Sequence, residues 1–218
     1  MTATTEHRRY GGQSAQERDD ERRQKLRETA LNLFGTEGYA AVPVERICST
    51  AKVSTKHFYQ LYGNKEDVLI DTYGAMTAES FAAAGRSLVE TDGQHMAERL
   101  PAAISAYLAP ILADPRAARL GYVEIVGVSP RVEAVRLGFR DQIVALIERE
   151  AAAAVEKGEV APRDFRFHAL SFIGAINVVV HDWSLHADRA EHDAATDLEH
   201  QLCALAVQLL TSDPSPLG

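Results

Sequence analysis

One stretch, residues 44–66 (VERICSTAKVSTKHFYQLYGNKE), restricts the possible folds of this chain more than any other. The apolar residues of its first half recur at helical spacing, which predicts a short helix with one buried face. They are Val44, Ile47, Cys48 and Ala51. Ser54 can accept a hydrogen bond from the free N–H groups of a second helix that opens at Thr55. Two short helices joined by a tight connection have the geometry of a helix-turn-helix, whose second helix can enter a DNA major groove.

The second of these helices is expected to have two different faces. Its inner side carries Phe58, Leu61 and Tyr62, which we interpret as core residues. Its outer side carries polar, basic or aromatic residues, namely Thr55, Lys56, His57, Tyr59 and Gln60. Gly63 and Asn64 end the helix, and the next helix opens directly after them. An outer face of this composition suits contacts with phosphates and base edges.

The charge distribution supports a DNA contact in the first third of the chain. The whole chain has a net charge of -8, which by itself disfavours nucleic acid as a partner. Residues 1–66, however, hold eleven Lys or Arg and nine Asp or Glu, whereas residues 67–218 hold twelve and twenty-two. The two parts therefore carry net charges of +2 and -10. This asymmetry is expected if only the N-terminal part contacts phosphates.

The rest of the chain has helical periodicity and predicts an all-α fold. Hydrophobic residues make up 46% of the sequence, enough for a substantial core. Besides the two short helices, helices are expected at about residues 16–37, 65–88, 94–113, 115–125, 131–157, 164–186 and 193–210. The helix that starts at Lys65 joins the N-terminal part to the remainder without a flexible linker, so it is suited to transmit movement.

A further set of residues occurs in a fixed order between residues 22 and 69. The set consists of Ala30, Leu33, Phe34, Glu37, Gly38, Tyr39, Val44, Ile47, Ala51, Val53, Ser54, Phe58, Tyr59, Tyr62, Lys65 and Glu66. With these positions the segment resembles the DNA-binding domain of the TetR family of transcriptional repressors. The resemblance implies an all-α homodimer whose recognition helix reads a palindromic operator, and a larger C-terminal helical domain for ligand binding and dimerisation. The chain departs from the family pattern at Val42-Pro43, Lys52 and Leu61, where a hydroxyl pair, a glycine and a histidine are usual.

The resemblance and the motif geometry together assign candidate DNA contacts. By resemblance, Tyr59 and Lys65 contact phosphate, the first through its hydroxyl and the second at a helix start. Thr55, Lys56 and His57 are the candidate base readers, because the N-terminal residues of a recognition helix reach deepest into the groove. The full set of candidate DNA-binding residues is Arg23, Val44, Lys52, Ser54, Thr55, Lys56, His57, Tyr59, Gln60 and Lys65. The predicted function is that of a regulator, a repressor that binds a palindromic operator as a dimer and is released by a small-molecule effector.

The expected organisation has four parts. They are a disordered arm (residues 1–15), a helix-turn-helix domain (16–66), a helical effector-binding and dimerisation domain (67–212) and a tail (213–218). Residues 164–186 are apolar over most of a helix circumference and must be buried on most sides. The last helix, residues 193–210, has the same excess. We therefore expect these two helices to form the homodimer contact, as such a pair does in the four-helix bundle of the TetR family.

A ligand site is expected among the middle helices, where aromatic side chains and a few polar groups lie within apolar stripes. The candidate pocket residues are Tyr73, Met76, Tyr107, Tyr122, Glu124, Phe139, Phe172, Ile176, Asn177 and His181. Each aromatic residue taken alone is more often plain core, and the broader expectation of a cavity rests on the resemblance. The expected effector is a small hydrophobic or aromatic molecule.

Catalytic and metal-binding functions have little support in the sequence. No nucleophile elbow, Walker loop or dinucleotide glycine pattern occurs, so no catalytic residue, enzyme activity or cofactor is assigned. His181, His186 and His192 lie near acidic residues, but their spacing is not that of a recognised zinc site, and no metal is expected. Cys48 and Cys203 fall in apolar stripes and are expected to act as small buried hydrophobic residues.

The sequence also predicts the cellular location of the protein. The N-terminus lacks the apolar core of a signal peptide and no apolar run approaches the length of a membrane span, so a cytoplasmic protein without a membrane partner is expected. Two alternatives stay open. One is a DNA-binding regulator that responds to no effector, and the other is an all-α enzyme in which residues 67–218 carry the chemistry.

Overall fold

The computed structural model describes residues 14–186 and 194–211, and within these residues it is built from helices without β-strands. The all-α fold class is therefore confirmed. The helices are α1 (Ala15–Glu37), α2 (Val44–Ala51), α3 (Thr55–Leu61), α4 (Lys65–Glu90), α5 (Met96–Leu112), α6 (Pro115–Arg119), α7 (Pro130–Glu156), α8 (Phe165–His186) and α9 (Ala194–Thr211). A π-helical turn, Leu120–Glu124, continues directly from α6, and we call it the π turn.

Polar side chains fix where the long helices begin. Ser14 starts α1 with a capping box, since its hydroxyl accepts from the Glu17 N–H while the Glu17 carboxylate accepts from the Ser14 N–H. Asn64 starts α4 in the same way with Asp67. The shorter α2 starts after Pro43, which offers no side-chain cap. We call α1, α2, α3 and the start of α4 the head of the molecule. In the head, the weakly capped α2 thus lies between α1 and α4, which are both well capped.

The connections between α1, α2 and α3 need unusual backbone angles. Gly38 follows α1 with φ of 91°, a value that glycine adopts without steric cost. Lys52 ends α2 in the left-handed region, with φ of 55° and ψ of 37°. It is the sole residue other than glycine with positive φ in the described parts of the chain. A lysine in this position carries steric strain that a glycine would not.

The buried residues of the N-terminal side form one core, which we call the head core. It contains Leu26, Ala30, Leu33, Phe34, Val42, Ile47, Cys48, Ala51, Val53, Phe58, Tyr62, Val68, Leu69, Leu120, Ile125 and Val132. The last three members come from the π turn, the residue after it and the start of α7. The head core therefore continues beyond residue 66, where the sequence placed a domain boundary, because α6 and the π turn pack against α1.

The second core, which we call the body core, lies among α5 to α9. Its larger members are Met96, Leu100, Leu108, Ile111, Leu112, Val144, Ile147, Phe172, Ile173, Ile176, Val180, Leu198, Leu202 and Leu210. Helix α4 packs against α1 at one end and along α5 over most of its length, so it belongs to both parts. A continuous helix of 26 residues is thus the main physical link between head and body.

The predicted helix positions agree with the structure to within about two residues at most ends. The π turn was not predicted, because residues 115–125 were read as one short helix. The predicted arm (residues 1–13 of it) and the predicted tail lie outside the described residues. The same holds for His192 and for the connection between α8 and α9.

Candidate nucleic-acid interface and internal cavity

Helix α3 is held at its start by Ser54. The Ser54 hydroxyl accepts a hydrogen bond from the His57 N–H at 3.2 Å and lies 2.9 Å from the Nδ1 of the same residue. The serine therefore caps the helix and also orients the imidazole ring. With Nδ1 engaged, His57 has its Nε2 left for an outside partner.

The outer face of α3 is open to solvent as the sequence suggested. Thr55, Lys56 and Gln60 are exposed, and Tyr59 keeps 52% of its surface accessible. The Tyr59 ring meets the buried ring of Phe58 edge to face, with centroids 5.3 Å apart. An aromatic side chain supported from below but open above is suited to place its hydroxyl against a phosphate.

The inner side of α3 is anchored by Tyr62. Its hydroxyl donates to the Asp71 carboxylate at 2.5 Å, and the Arg23 guanidinium lies 5.2 Å from the centre of its ring. Burial and the Asp71 carboxylate raise the pKa of Tyr62 well above its usual value, so it stays a neutral donor. Of the predicted DNA contacts, Arg23 is thus half-buried against Tyr62, and Val44 is half-buried at the edge of the head core.

Lys65, predicted to contact phosphate, has partners inside the head. Its ammonium donates to the carbonyls of Tyr39 at 2.8 Å and Val42 at 3.0 Å, and it lies 4.2 Å from the centre of the Tyr39 ring. Burial lowers the pKa of this lysine. These contacts hold the connection between α1 and α2, so the geometry gives Lys65 a structural role, and its contact with DNA stays a prediction. Lys52, in contrast, is exposed at the end of α2.

A cavity of about 120 Å³ lies between α4, α5, α7 and α8, and the π turn forms part of its wall. Eight of the ten predicted pocket residues line it. They are Tyr73, Met76, Tyr107, Tyr122, Phe139, Phe172, Ile176 and Asn177. Their spacing on the helices is that of core residues, and the structure brings them around a space rather than into full contact with one another.

Glu124 corrects the predicted pocket. It lies on the opposite side of the π turn from the cavity and accepts hydrogen bonds from the Tyr39 N–H at 2.8 Å and from Arg119 Nε at 3.1 Å. Arg119 in turn donates to the carbonyl of Thr36 at 3.2 Å. The reason is the position of Glu124 two residues after Tyr122, which turns it to the other face of a helical segment. Sequence spacing alone could not show that α1 lies there.

His181, the tenth predicted pocket residue, lies in a surface groove beside the cavity. We call this the outer groove, and its further residues are Val126, Val178, Asp182 and Leu185. Four residues line both the cavity and the outer groove, and we call them the neck. They are Gly121, Tyr122, Arg136 and Asn177. The cavity therefore has a route to the surface next to α8.

Several cavity residues escaped the sequence prediction. Ser80 and Thr77 on α4 are buried at its wall, and Arg99 pairs with Glu150 across one end at 3.1 Å. The available signal was a set of small polar residues at helical spacing inside an otherwise apolar helix, which is too weak to separate a cavity wall from an exposed face. The Arg99–Glu150 pair joins α5 to α7 and has no signature in the sequence.

The two cysteines show no sign of a reactive or metal-binding site. Cys48 is buried and Cys203 half-buried, and both are free thiols. Burial raises the pKa of both thiols, that of Cys203 to about 11. Over residues 14–186 and 194–211, no group of three or more His, Cys, Asp or Glu side chains is arranged to hold a metal ion. Within the same ranges no helix is long and apolar enough to cross a membrane.

Comparison with solved structures supports the fold. A fatty acid degradation regulator, FadR, from Bacillus halodurans shares the fold with a TM-score of 0.76 at 17% identity, over 92% of this chain and 97% of that one. A transcriptional regulator FadR from Bacillus subtilis, solved in complex with stearoyl-CoA, has a TM-score of 0.75 at 17% identity, over 86% of this chain and 97% of the other.

Sequence comparison identifies the family. The HTH-type transcriptional regulator HbdR from Aromatoleum sp. (strain CIB) is 32% identical over 110 residues, which span 47% of this chain and 44% of that regulator. Residues 26–72 match the bacterial regulatory proteins of the tetR family, and residues 93–184 match the tetracyclin repressor-like C-terminal domain. The family consists of regulators rather than enzymes. Since both the head and most of the body match, this chain belongs to the TetR family of transcriptional regulators.

Proposed function

We propose that this regulator is a dimeric, cytoplasmic repressor that binds a palindromic operator and is released when an apolar effector fills the cavity. One observation carries the proposal. The five-residue π turn lines the cavity with Gly121 and Tyr122 and contacts the head with Glu124. A ligand that changes the position of this turn must change the contact with Tyr39 as well. Irregular helical turns of this kind are frequent at functional sites.

The DNA side of the proposal rests on α3. Its exposed face combines Lys56, Tyr59 and the oriented ring of His57, all within one helical turn. A lysine can donate to guanine O6 and N7, whereas a histidine can donate or accept. Lys52 adds a second exposed cation in the turn between the two helices of the same motif. These residues supply both the backbone contacts that position a protein on DNA and the contacts that select a sequence.

The dimer is supported by an apolar stripe on α8. Phe167, Val178 and Leu185 are 64%, 70% and 56% exposed, and their spacing of eleven and seven residues puts them on one helix face. Exposed apolar stripes of this kind mark protein interfaces. We propose that a second copy of this chain covers the stripe, with α9 beside α8 completing the contact. Two recognition helices related by twofold symmetry then match a palindromic site.

The effector proposal follows the character of the cavity. Its walls are mostly aliphatic and aromatic, and it extends along α4 from Tyr73 to Leu88. Fifteen helical residues correspond to roughly 22 Å, the length of an extended hydrocarbon chain rather than of a compact molecule. The cavity volume of about 120 Å³ is smaller than that of such a chain, so the cavity walls must move apart when the chain binds. The FadR structure with stearoyl-CoA has the same fold. We therefore propose a long acyl compound as the effector, a narrower class than the small hydrophobic or aromatic molecule that the sequence suggested.

The effector must act by binding one state of the protein more tightly than the other. In the structure described here, Glu124 joins the π turn to the α1–α2 connection, and Arg119 joins α6 to the end of α1. Both contacts lie between the cavity wall and the elements that position α3. Their rearrangement would alter the distance between the two recognition helices of a dimer, and this distance has to match the DNA helical repeat.

DNA binding can be tested with one charge removed at a time. Sequences bound by the purified protein are selected from genomic DNA of its source, and affinities for the best site are measured by fluorescence anisotropy at several salt concentrations. Lys56→Ala should lower affinity about tenfold and reduce the salt slope by about one. Arg149→Ala removes an exposed cation from α7 and should change neither quantity. Equal effects of the two variants would show that α3 is not part of the DNA interface.

Coupling is tested with Glu124→Gln, which keeps the size of the side chain and removes its charge. The variant should bind operator DNA within a few-fold of the parent protein and should still bind stearoyl-CoA. Stearoyl-CoA should lower the operator affinity of the parent protein at least tenfold, in the range usual for allosteric coupling, and that of the variant far less. Glu79→Gln, an exposed position on α4, serves as the matched control. If stearoyl-CoA released the Glu124 variant from operator DNA as fully as the parent protein, the proposed coupling through the Glu124–Tyr39 contact would be wrong.

A further inference from the structure

The two ends of the cavity carry different polar groups. At the end away from the π turn, Arg99 pairs with Glu150 at 3.1 Å and donates to the Leu88 carbonyl at 3.2 Å. Glu159 accepts from the Met96 N–H at 2.6 Å at the same end. These contacts join α4, α5, α7 and the segment after α7. The charged groups at this end are thus mostly paired with one another, although Arg99 Nε has no partner among the described residues.

The end at the neck carries donors that have no partner among residues 14–186 and 194–211. Neither the Tyr107 nor the Tyr122 hydroxyl, nor the Asn177 side-chain amide, forms a hydrogen bond with another residue of the described ranges. Both rings line the cavity and keep part of their surface open. Burial raises the pKa of Tyr122, and the nearby Tyr107 raises it further. Both phenols therefore keep their protons and can only act as neutral donors or acceptors at physiological pH.

The charges around the neck cancel one another. Arg136 donates from both Nε and Nη2 to the Glu133 carboxylate, at 2.9 and 2.6 Å. Arg140, the other arginine at this end of the cavity, is held by Asp141 at 2.9 Å. A carboxylate that moves from water to the neck would find no unpaired cation there, among the described residues, to bind it. Burying an unpaired charge in this way is energetically costly. A neutral oxygen that accepts hydrogen bonds incurs no such cost.

We propose that the neck and the adjoining cavity wall bind the carbonyl oxygen of a neutral acyl compound, an ester or thioester, with Tyr122 of the neck and Tyr107 of the wall as the donors. The acyl chain then lies in the cavity towards Leu88, and the group on the other side of the ester or thioester bond passes through the neck into the outer groove. His181 and Asp182 supply polar contacts there. The assignment rests on the proposed function only in taking this cavity as the effector site.

The outer groove and the neck also explain why the acyl group is held in one direction. The end at Arg99 and Glu150 is crossed by an ion pair, whereas the neck opens to the surface beside α8. A ligand with an apolar chain and a large polar end therefore fits with its chain in the cavity and its polar end in the outer groove. A ligand that covers the two hydroxyls without offering them an oxygen leaves them unpaired, which is unfavourable, so the site discriminates against such ligands.

The test compares two ligands that differ in one oxygen atom. Stearoyl-CoA has the thioester carbonyl, and S-octadecyl-CoA, its thioether analogue, lacks it. Binding to the full chain is measured by isothermal titration calorimetry without DNA, with stearate as a charged third ligand. The parent protein should bind the thioester about tenfold more tightly than the thioether, and more tightly than stearate.

Two variants locate the effect. Tyr122→Phe and Tyr107→Phe each remove one hydroxyl and keep the ring, and each should lower thioester affinity several-fold while leaving thioether affinity unchanged. Tyr39→Phe, in the head, should alter neither. Thermal unfolding of the ligand-free variants shows whether the fold is retained, and the thioether affinity of each variant provides an internal check on the cavity.

Three results would overturn the proposal. They are equal affinities for thioester and thioether, tighter binding of stearate than of the thioester, and a thioester preference that persists in both tyrosine variants. Absence of binding by both coenzyme A derivatives would also overturn it. Operator release is measured in a separate experiment, so a ligand that binds as described but leaves DNA affinity unchanged would contradict the repressor mechanism and not the carbonyl site.

Discussion

The head and the body of this regulator treat buried polar groups differently. In the head, including the start of α4, the hydroxyls that are buried have partners: Tyr62 donates to Asp71, and Thr72 donates to the Val68 carbonyl at 2.6 Å. In the body, Ser80 Oγ, Arg99 Nε and Trp183 Nε1 are buried without a partner. Within the described residues before Ser80, no buried side-chain nitrogen or oxygen lacks a hydrogen-bond partner.

This difference in the satisfaction of buried polar groups matches the different tasks of the head and the body. A head that must present α3 in one orientation benefits from polar contacts that leave no alternative arrangement, such as the contacts of Lys65 and Glu124 with the α1–α2 connection. A body that receives a ligand needs space and donors that are unsatisfied until the ligand arrives. Binding sites commonly reduce the stability of the protein that carries them, and the body fits that pattern.

The junction between α1 and α6 should show the largest mutational effect. A Cβ atom at Gly35 would lie 2.5 Å from Arg116 Cβ and 2.8 Å from the Arg116 backbone. Because backbone atoms cannot move aside cheaply, Gly35→Ala must push α6 away from α1. We expect a loss of about 2–3 kcal/mol in the free energy of unfolding, measured in urea, as for other overpacked sites.

The control for this variant is another helical glycine. A Cβ at Gly85 in α4 meets no atom within 4 Å. Gly85→Ala should therefore raise the free energy of unfolding by about 0.5–1 kcal/mol, through helix propensity alone. If the two alanine variants had the same stability, the close approach of α1 and α6 would be wrong, and with it the short route from the π turn to the head.

A pair of variants in α4 tests the comparison of buried hydroxyls directly. Ser80→Ala removes an unpartnered hydroxyl and should raise the stability of the ligand-free protein by about 0.5–1 kcal/mol. Thr72→Val removes a partnered hydroxyl and should lower stability by about 1 kcal/mol. Both changes are followed by urea unfolding at constant pH. A loss of stability in the Ser80 variant as large as that at Thr72 would mean that head and body do not differ in this respect.

The sequence was sufficient for the helices and for the motif, because both depend on local spacing. Ser54 as a helix start, Phe58 as a core residue and Tyr59 as an exposed one could be read from neighbouring residues. The roles of Lys65 and Glu124 could not, since each is defined by contacts with the α1–α2 connection, 23 to 85 residues away in the chain. The cavity was expected as a class of feature, but its neck depends on how the π turn, α7 and α8 meet.

The smallest expected change in operator affinity concerns Lys52, the one place where the head carries backbone strain within the described residues. Lys52→Gly and Lys52→Ala both remove the charge, but only glycine accepts φ of 55° without a steric cost. The glycine variant should therefore be more stable than the alanine variant by about 1 kcal/mol in urea unfolding. Both variants should lose the same small factor in operator affinity, about two- to threefold, if Lys52 acts only as a cation near the DNA backbone. Equal stabilities would show that the turn relaxes around any residue, whereas unequal affinities would show that the strained turn itself positions α3.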